Sequence, residues 1–160
     1  MTPVIQMTCA YSGAMASSAL PDLDLQRRRE AVVAEHMRAE MAADLDATLA
    51  TFPGEPEYDI VPLHGVRRGH DEVRELLAHL LGAFPDLGLH VVVLRHTVDA
   101  VIIEGRMTGT QRGVYAGCAA SGRVLDLRAA IFFHFDDDRL RRETVYYDEL
   151  TLLTQIAAMP

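Results

Sequence analysis

Three acidic or basic side chains follow one another at four-residue spacing near the start of the chain: His36, Glu40 and Asp44. On an α-helix this spacing stacks them along one stripe, beside the apolar stripe that carries Val33 and Met37. Two interpretations are open. The three residues form ion pairs at the edge of a buried face, or His36 and Glu40 enter a cavity where burial shifts their pKa values toward neutrality and suits them to proton transfer. A His/Glu pair one turn apart also suits zinc, but no third ligand is evident, so we predict no metal site.

A further carboxylate lies at the end of the last predicted strand, where Asp148 follows Tyr146 and Tyr147. Strand alternation sends Asp148 and Tyr146 to one face and Tyr147 to the other. Asp148 either caps the helix that follows, or faces an apolar pocket where a raised pKa suits it to remove a proton from carbon next to a carbonyl. We predict Asp148, His36 and Glu40 as the catalytic residues.

Two other residues are candidates for substrate contacts. Tyr58 lies in the irregular region between two predicted helices, where we expect the mouth of a cavity. Arg128 shares a strand face with Asp126 and His134, opposite the apolar residues of the core. That face meets solvent or a dimer partner, or lines a pocket in which Arg128 binds a substrate carboxylate or enolate.

Helices followed by strands are predicted to position these residues. Helical periodicity predicts one long helix from Leu25 to about Thr51 and a second that begins at Gly69 and ends near Gly82. A short strand around Tyr58 separates the two helices. Four extended segments follow, at residues 89–98, 100–110, 122–135 and 140–147, and residues 151–159 form a closing helix. This order predicts an α+β domain in which an antiparallel sheet wraps around a helix.

Composition limits the classes of protein and partner. The 160 residues fit one domain, which we place at residues 25–160 behind a flexible tail at 1–24. A net charge of −8 repels nucleic acid and anionic membranes, and no apolar run approaches the roughly 20 residues of a membrane helix. Cys9 and Cys118 lie far apart without a metal-binding spacing, and the first residues lack a basic leader, so we predict a cytoplasmic protein.

Several motifs, in their order along the chain, resemble the SnoaL-like polyketide (ester) cyclase family of the nuclear transport factor 2-like superfamily. They are Gly69-His70-Asp71, Phe84-Pro85-Asp86-Leu87, the turn at 108–113, Gly122-Arg123 and Tyr147-Asp148 through Gln155. The resemblance implies a cone-shaped, curved antiparallel sheet around a deep apolar pocket, and a homodimer formed through the sheet. It also implies ring closure by aldol chemistry with a pocket aspartate as acid and base, a role that falls by position to Asp148.

The chain departs from related patterns at two positions. Many relatives carry histidine where this chain has Gln111, and glutamine orients a substrate but does not shuttle protons at neutral pH. Limonene-epoxide-hydrolase-like proteins use an Asp-Arg-Asp arrangement, and Val145 stands here at the position of the key aspartate. Ketosteroid-isomerase-like chemistry stays open, because it asks only for a buried carboxylate and an oxyanion donor.

We therefore predict a small cofactor-independent enzyme, a cyclase or isomerase, that performs enolate or aldol-type chemistry on an apolar carbonyl compound. The alternatives are a non-catalytic module that binds a small ligand or a protein, and an epoxide-hydrolase-like enzyme. The predicted partners are the carbonyl compound and a second copy of the chain, with no nucleic acid and no membrane. The predicted substrate-binding residues are Tyr58, Tyr146, Gln111, Arg128 and Phe84.

Overall fold

A computed structural model describes residues 19–157, so most of the predicted tail at residues 1–24 lies outside the described part. The helices are α1 (Leu23–Met41), α2 (Leu45–Ala50), α3 (Gly69–Ala83) and α4 (Glu149–Ile156). The strands are β1 (Glu57–Ile60), β2 (Val66–Arg68), β3 (Gly88–His96), β4 (Ala100–Thr110), β5 (Val124–Asp136) and β6 (Arg139–Tyr147). Helices followed by a run of strands confirm the predicted α+β class.

The six strands form one curved sheet in the order β2-β1-β6-β5-β4-β3. Neighbouring strands are antiparallel except β1 and β6, which run parallel, a pairing that the sequence did not predict. The pairing register shifts between Val91 and Val93 in β3, and between His134 and Phe135 in β5. Such irregularities bend strands, which lets the sheet curve over the helices.

Strand β5 shows how the sheet buries one face. Its residues alternate strictly, with Leu125, Leu127, Ile131, Phe133 and Phe135 buried on the concave side, as predicted. Two apolar clusters fill this concave side. The first contains Phe52, Tyr58, Ile60, Phe133 and Val145, and the second contains Phe84, Tyr115, Leu125 and Leu152. Tyr147 packs against both clusters and so joins them.

The predicted long helix at 25–51 is wrong in one respect, because the chain turns between α1 and α2. Ala43 adopts a left-handed conformation with φ of 55°, which ends α1. Asp44 then caps α2 by accepting a hydrogen bond from the Ala47 amide at 3.0 Å. Asp44 is therefore not on the same helix face as His36 and Glu40. It lies outside α1 and stabilises the start of α2 as its cap. The turn brings the end of α2 back beside α1.

Candidate active site

A cavity of about 60 Å³ lies between the helices and the concave face of the sheet. Most of its wall is hydrocarbon, and three flexible methionines, Met37, Met41 and Met107, contribute to it. The polar residues that line it are Glu40, Tyr58, Tyr115, Glu143 and Tyr147. An apolar cavity with a few converging polar groups is the usual form of a small-molecule site.

Alternation along β6 brings two of these polar residues into the cavity. Glu143, Val145 and Tyr147 occupy every second position, so all three side chains point to the concave side. Glu143 is only 2% exposed, which is unusual for a glutamate without a charged partner. Its partner comes from α1.

His36 supplies the charge that faces Glu143. The ring is fully buried, with Nε2 2.8 Å from Oε2 of Glu143 and 3.3 Å from Oε2 of Glu40. Within residues 19–157, Nε2 faces both carboxylates at ion-pair distance without a hydrogen bond of ideal geometry. The rings of Phe52 and Phe133 pack at 5.3 and 5.7 Å from the imidazole. His36 itself does not line the cavity, but stands behind the two carboxylates.

Thr51 fixes the protonation of the other ring nitrogen. The Thr51 hydroxyl donates its single proton to the carbonyl of Thr48 at 2.6 Å. The same oxygen lies 2.7 Å from Nδ1 of His36, so it accepts a hydrogen bond from Nδ1–H. A second proton on the ring must therefore reside on Nε2, where it faces Glu143 and Glu40.

Burial and charge shift the pKa values of the cluster. Burial alone would lower the pKa of His36, but the carboxylates of Glu143 and Glu40 outweigh it and raise this pKa to about 10. Burial also raises the pKa of Glu143, as does Glu40, whereas His36 opposes the shift. Burial raises the pKa of Tyr58, so its hydroxyl stays neutral and donates to Oε2 of Glu40 at 3.0 Å. Glu143 is thus a desolvated carboxyl group held beside an imidazolium, an arrangement suited to proton transfer at neutral pH.

The structure brings four of the predicted residues to this site. Glu40, Tyr58 and Phe84 line the cavity, and His36 lies directly behind its wall. Tyr58 and Phe84 are almost fully buried, at 1% and 0% exposure.

Asp148 lies elsewhere, which corrects the placement predicted from the sequence. Its carboxylate is exposed and caps α4, accepting hydrogen bonds from the Thr151 amide at 3.2 Å and the Thr151 hydroxyl at 2.7 Å. These bonds lower its pKa, so it is a weak base. Tyr146 is 46% exposed on the convex side. The predicted alternation is correct, but the inner face is that of Tyr147, not that of Tyr146 and Asp148.

Gln111 and Arg128 also lie outside the cavity wall. Gln111 is buried in the loop between β4 and β5, where its amide donates to the Cys118 carbonyl and accepts from the Ser121 hydroxyl. It therefore holds the loop together. Arg128 is exposed on the convex face of β5, so it is not placed to bind a ligand in the cavity.

A metal ion is the other chemistry that this cluster allows. Glu143 adds the third ligand that the sequence did not reveal, and the donor atoms of His36, Glu40 and Glu143 lie within 4.8 Å of one another. Around zinc, with bonds of about 2.0 to 2.2 Å, tetrahedral donors would stand roughly 3.4 Å apart. The 2.8 Å contact between Nε2 and Oε2 is instead the spacing of an ion pair. We interpret the cluster as a proton-sharing group.

Sequence reasoning missed Glu143, Thr51, Tyr115 and Tyr147. Glu143 had a signal, because it shares the strand face of Val145 and Tyr147, and a charge on an apolar face marks a functional or paired group. Strand alternation places Tyr147 on the face opposite Asp148, and the sequence favours the face of Asp148 as the pocket face. Thr51 and Tyr115 had no local signal, since tertiary packing brings each to its partner.

Comparison with known proteins agrees with this architecture. The family model for SnoaL-like polyketide cyclases matches residues 43–156. A search of curated proteins found no significant match. A protein from Jannaschia sp. CCS1, provisionally assigned as a SnoaL-like polyketide cyclase, aligns with a TM-score of 0.76 and 22% identity, over 84% of this chain and 94% of that one.

Two other solved structures share the fold at low identity. TsrD from Streptomyces laurentii aligns with a TM-score of 0.71 and 21% identity, over 84% of this chain and 98% of that one. A protein with a ketosteroid isomerase-like fold from Catenulispora acidiphila DSM 44928 aligns with a TM-score of 0.68 and 15% identity, over 81% of this chain and 93% of that one. These likenesses support the fold, and the family match covers most of the chain. The chain belongs to the SnoaL-like polyketide cyclase family.

Proposed function

We propose that this chain is an acid/base enzyme that needs no cofactor and acts as a cyclase or isomerase on a small apolar carbonyl compound. One observation carries the proposal. Within the described residues, the carboxylates of Glu40 and Glu143 are the charged groups in the wall of an otherwise apolar cavity, and His36 stands behind them. Family membership adds support, since the family is named for polyketide cyclases.

Glu143 is the proposed base. Its carboxylate removes a proton from carbon next to the carbonyl, so that the C–H bond breaks, an O–H bond forms on Glu143, and the electron pair moves onto the carbonyl oxygen as an enolate. In an isomerisation, Glu143 returns the proton to another carbon of the conjugated enolate. In an aldol cyclisation, the enolate carbon bonds to a second carbonyl carbon, and the alkoxide takes the proton from Glu143. Both routes are redox-neutral and regenerate the carboxylate.

The neighbouring residues have supporting roles in this proposal. His36 is a positioning residue, because it lies behind the wall and holds Glu143 ionised against the cost of burial. Tyr58 orients Glu40 through its 3.0 Å hydrogen bond. Phe84 and the methionines Met37 and Met107 provide apolar surface for the hydrocarbon part of the substrate.

Hydrogen exchange tests the proposal without knowledge of the natural substrate. The protein would be incubated in D₂O with a panel of small apolar ketones and β-keto esters, and loss of the proton next to the carbonyl followed by NMR. We expect catalysed exchange in the wild type and a loss of about 100-fold or more in Glu143→Gln. Glu104→Gln is the matched control, because Glu104 is an exposed glutamate on the convex face of β4. Dialysis against a chelator should leave the exchange rate unchanged.

Three results would overturn the assignment. Exchange that survives in Glu143→Gln would remove Glu143 as the base, and exchange lost on chelation and restored by zinc would make the cluster a metal site. Saturable binding of the ketones with no exchange would favour the alternative of a ligand-binding module. An epoxide-hydrolase-like role has less support, because no arginine is among the lining residues in the described part of the chain.

The proposed partners are the small carbonyl compound and a second copy of the chain. Val91, Val92 and Leu94 on β3 and Tyr146 on β6 expose 37% to 66% of their surface, and a homodimer through the sheet would cover such residues. Analytical ultracentrifugation of the purified protein measures whether it is a monomer or a dimer. Within residues 19–157, no helix has the length and apolar character to cross a membrane. Location in the cytoplasm, and the absence of nucleic-acid or membrane partners, stay predictions.

A further inference from the structure

A pair of tyrosines forms a second polar group in the cavity wall, apart from the carboxylates. Tyr147 lies at the end of β6, and Tyr115 lies in the loop between β4 and β5. Their hydroxyl oxygens are 2.5 Å apart. The mechanism proposed above uses neither residue.

The two hydroxyls carry two protons, and the hydrogen bond between them uses only one. Each phenol carries one proton and can both donate and accept. One of the two protons lies in the hydrogen bond between Tyr115 and Tyr147. Within residues 19–157, neither hydroxyl has another hydrogen-bond partner, so the second proton has no acceptor from the protein. A donor of this kind at the wall of a cavity is available to a ligand.

Both tyrosines remain neutral at physiological pH. Burial raises the pKa of Tyr115, and the bond to Tyr147 opposes this only in part. Burial also raises the pKa of Tyr147, and Tyr115 adds to the shift. Neither group is therefore a base, and the pair keeps a hydroxyl proton that it can donate to a ligand.

The surrounding structure holds the donor in place. Tyr115 is 1% exposed and packs edge-on against Phe84, with the ring centres 5.2 Å apart. Its backbone exchanges two hydrogen bonds with Cys118 across a tight turn, at 3.1 and 2.8 Å. The loop also docks on the end of α3, where the Arg112 and Gly113 amides donate to the Ala83 carbonyl. A donor fixed in this way binds an acceptor at little entropic cost.

The pair lies toward the other end of the cavity from the base. Glu143 and Tyr147 are separated along β6 by four residues, or about 13 Å between their α-carbons. Val145 lies between them on the same face of the strand, and apolar side chains of both clusters line the cavity. A ligand that reaches both ends must be elongated and must carry an acceptor at the end away from its reacting carbon.

We propose that Tyr115 and Tyr147 form a donor subsite for a carbonyl oxygen at the end of the ligand distal to Glu143. The substrate class follows: an elongated apolar compound with an acidic C–H near one end and a second carbonyl near the other. The orientation relative to Glu143 rests on the proposed function, whereas binding of the oxygen at the tyrosines does not. The cavity of about 60 Å³ is small, and repacking of its flexible methionines would admit a longer ligand.

Acetophenone labelled with ¹³C at the carbonyl is the probe, and ethylbenzene is its counterpart without an acceptor. Infrared spectroscopy reports the carbonyl stretch of the bound probe, which moves to lower wavenumber when the oxygen accepts a hydrogen bond. We expect this shift in the wild type and its loss in Tyr115→Phe/Tyr147→Phe, with the affinity for acetophenone falling about 5- to 10-fold. The affinity for ethylbenzene should change by less than about twofold.

Two controls separate this subsite from the proposed base and from structural effects. Tyr146→Phe removes a neighbouring hydroxyl on the exposed side of β6 and should leave the carbonyl shift intact. Glu143→Gln should also leave it intact while abolishing hydrogen exchange. A tyrosine-dependent shift without any exchange would overturn the proposed function and keep the subsite.

Other outcomes overturn the subsite itself. They are an unshifted carbonyl or no binding of acetophenone by the wild type, a shift that persists in the double variant, or an equal loss of affinity for ethylbenzene. If the double variant does not fold, the single variants answer the question, because each removes one hydroxyl and keeps the other ring. A shift unaffected by both single variants would count against the pair, and circular dichroism verifies that each variant is folded.

Discussion

His36 should make the protein lose stability as the pH rises from about 7 to about 10. In the folded state, the pKa of His36 is about 10, compared with an ordinary value of 6.5. Between these values the folded protein keeps a proton that the unfolded chain has released. Because the folded state then binds more protons, the free energy of unfolding falls with rising pH, at about 1.4 kcal/mol per pH unit. The contribution of the His36 proton is fully present below pH 6.5 and disappears as the pH passes 10.

The magnitude follows from the distance between the two pKa values. The interval from 6.5 to about 10, multiplied by about 1.4 kcal/mol per unit, gives a ceiling of about 5 kcal/mol. Between pH 7 and pH 9 the expected decline is about 2 to 3 kcal/mol. Burial raises the pKa of Glu143 as well, so this group adds a decline of the same sign at lower pH.

Urea denaturation at a series of pH values, followed by circular dichroism, measures this decline. Lysine does not contribute to the pH dependence in this range, because all 15 Lys and Arg positions of the chain are arginine. His36→Gln should remove the slope, whereas His70→Gln, at an exposed histidine, should preserve it. NMR titration of the His36 ring gives the same answer in the wild type if His36→Gln does not fold. A flat stability profile between pH 7 and pH 9, or a ring that titrates near 6.5, would refute the reasoning.

Three further variants test the positions of individual side chains. Asp148→Ala should lower the free energy of unfolding by about 1 kcal/mol, because it removes a helix cap, and leave hydrogen exchange unchanged; slower exchange would restore Asp148 as a catalytic candidate. Thr51→Val leaves the Nδ1–H of His36 without an acceptor, so it should cost about 1 to 3 kcal/mol in urea denaturation and lower the His36 pKa in NMR; an unchanged pKa would contradict the assigned proton. Gly113→Ala places a Cβ 2.6 Å from the Gly82 carbonyl oxygen, so it should displace the loop and lower the free energy of unfolding by about 1 to 3 kcal/mol, seen as a lower Tm. The displaced loop should also weaken the carbonyl shift of bound acetophenone, and an unchanged Tm would show that the loop adapts.

Periodicity predicted most of the fold because regular burial leaves a regular pattern. Strand β5 is the clearest case, since one face is apolar and buried for its whole length and the other carries Asp126, Arg128 and His134. The break between α1 and α2 was not predicted, because Ala42 and Ala43 are good helix formers and neither glycine nor proline marks the turn. The cap made by Asp44 and the packing of α2 outweigh those local preferences.

The site was harder to predict because alternation defines two faces without saying which one is inside. On β6, Tyr146 and Tyr147 are equally hydrophobic, and a carboxylate follows on the face of Tyr146. The buried Val145 lies on the face of Tyr147 and identifies the concave side, but Glu143 on that face argues against burial. The charge of the distant His36 offsets the burial of Glu143, and no local pattern in the sequence links the two residues.

The placement of this charge cluster supports the role in chemistry proposed above. Compared with apolar side chains of similar size, a buried ion pair returns little net stabilisation, because removing two charges from water costs about as much as their attraction supplies. Apolar side chains at His36, Glu40 and Glu143 would satisfy the core equally well. The chain instead keeps two carboxylates at the wall of an apolar cavity. Behind them stands His36, whose Nδ1 is held protonated by its hydrogen bond to Thr51. Such an arrangement holds a proton acceptor where a hydrophobic ligand can reach it and water is scarce, which is what abstraction of a proton from carbon requires.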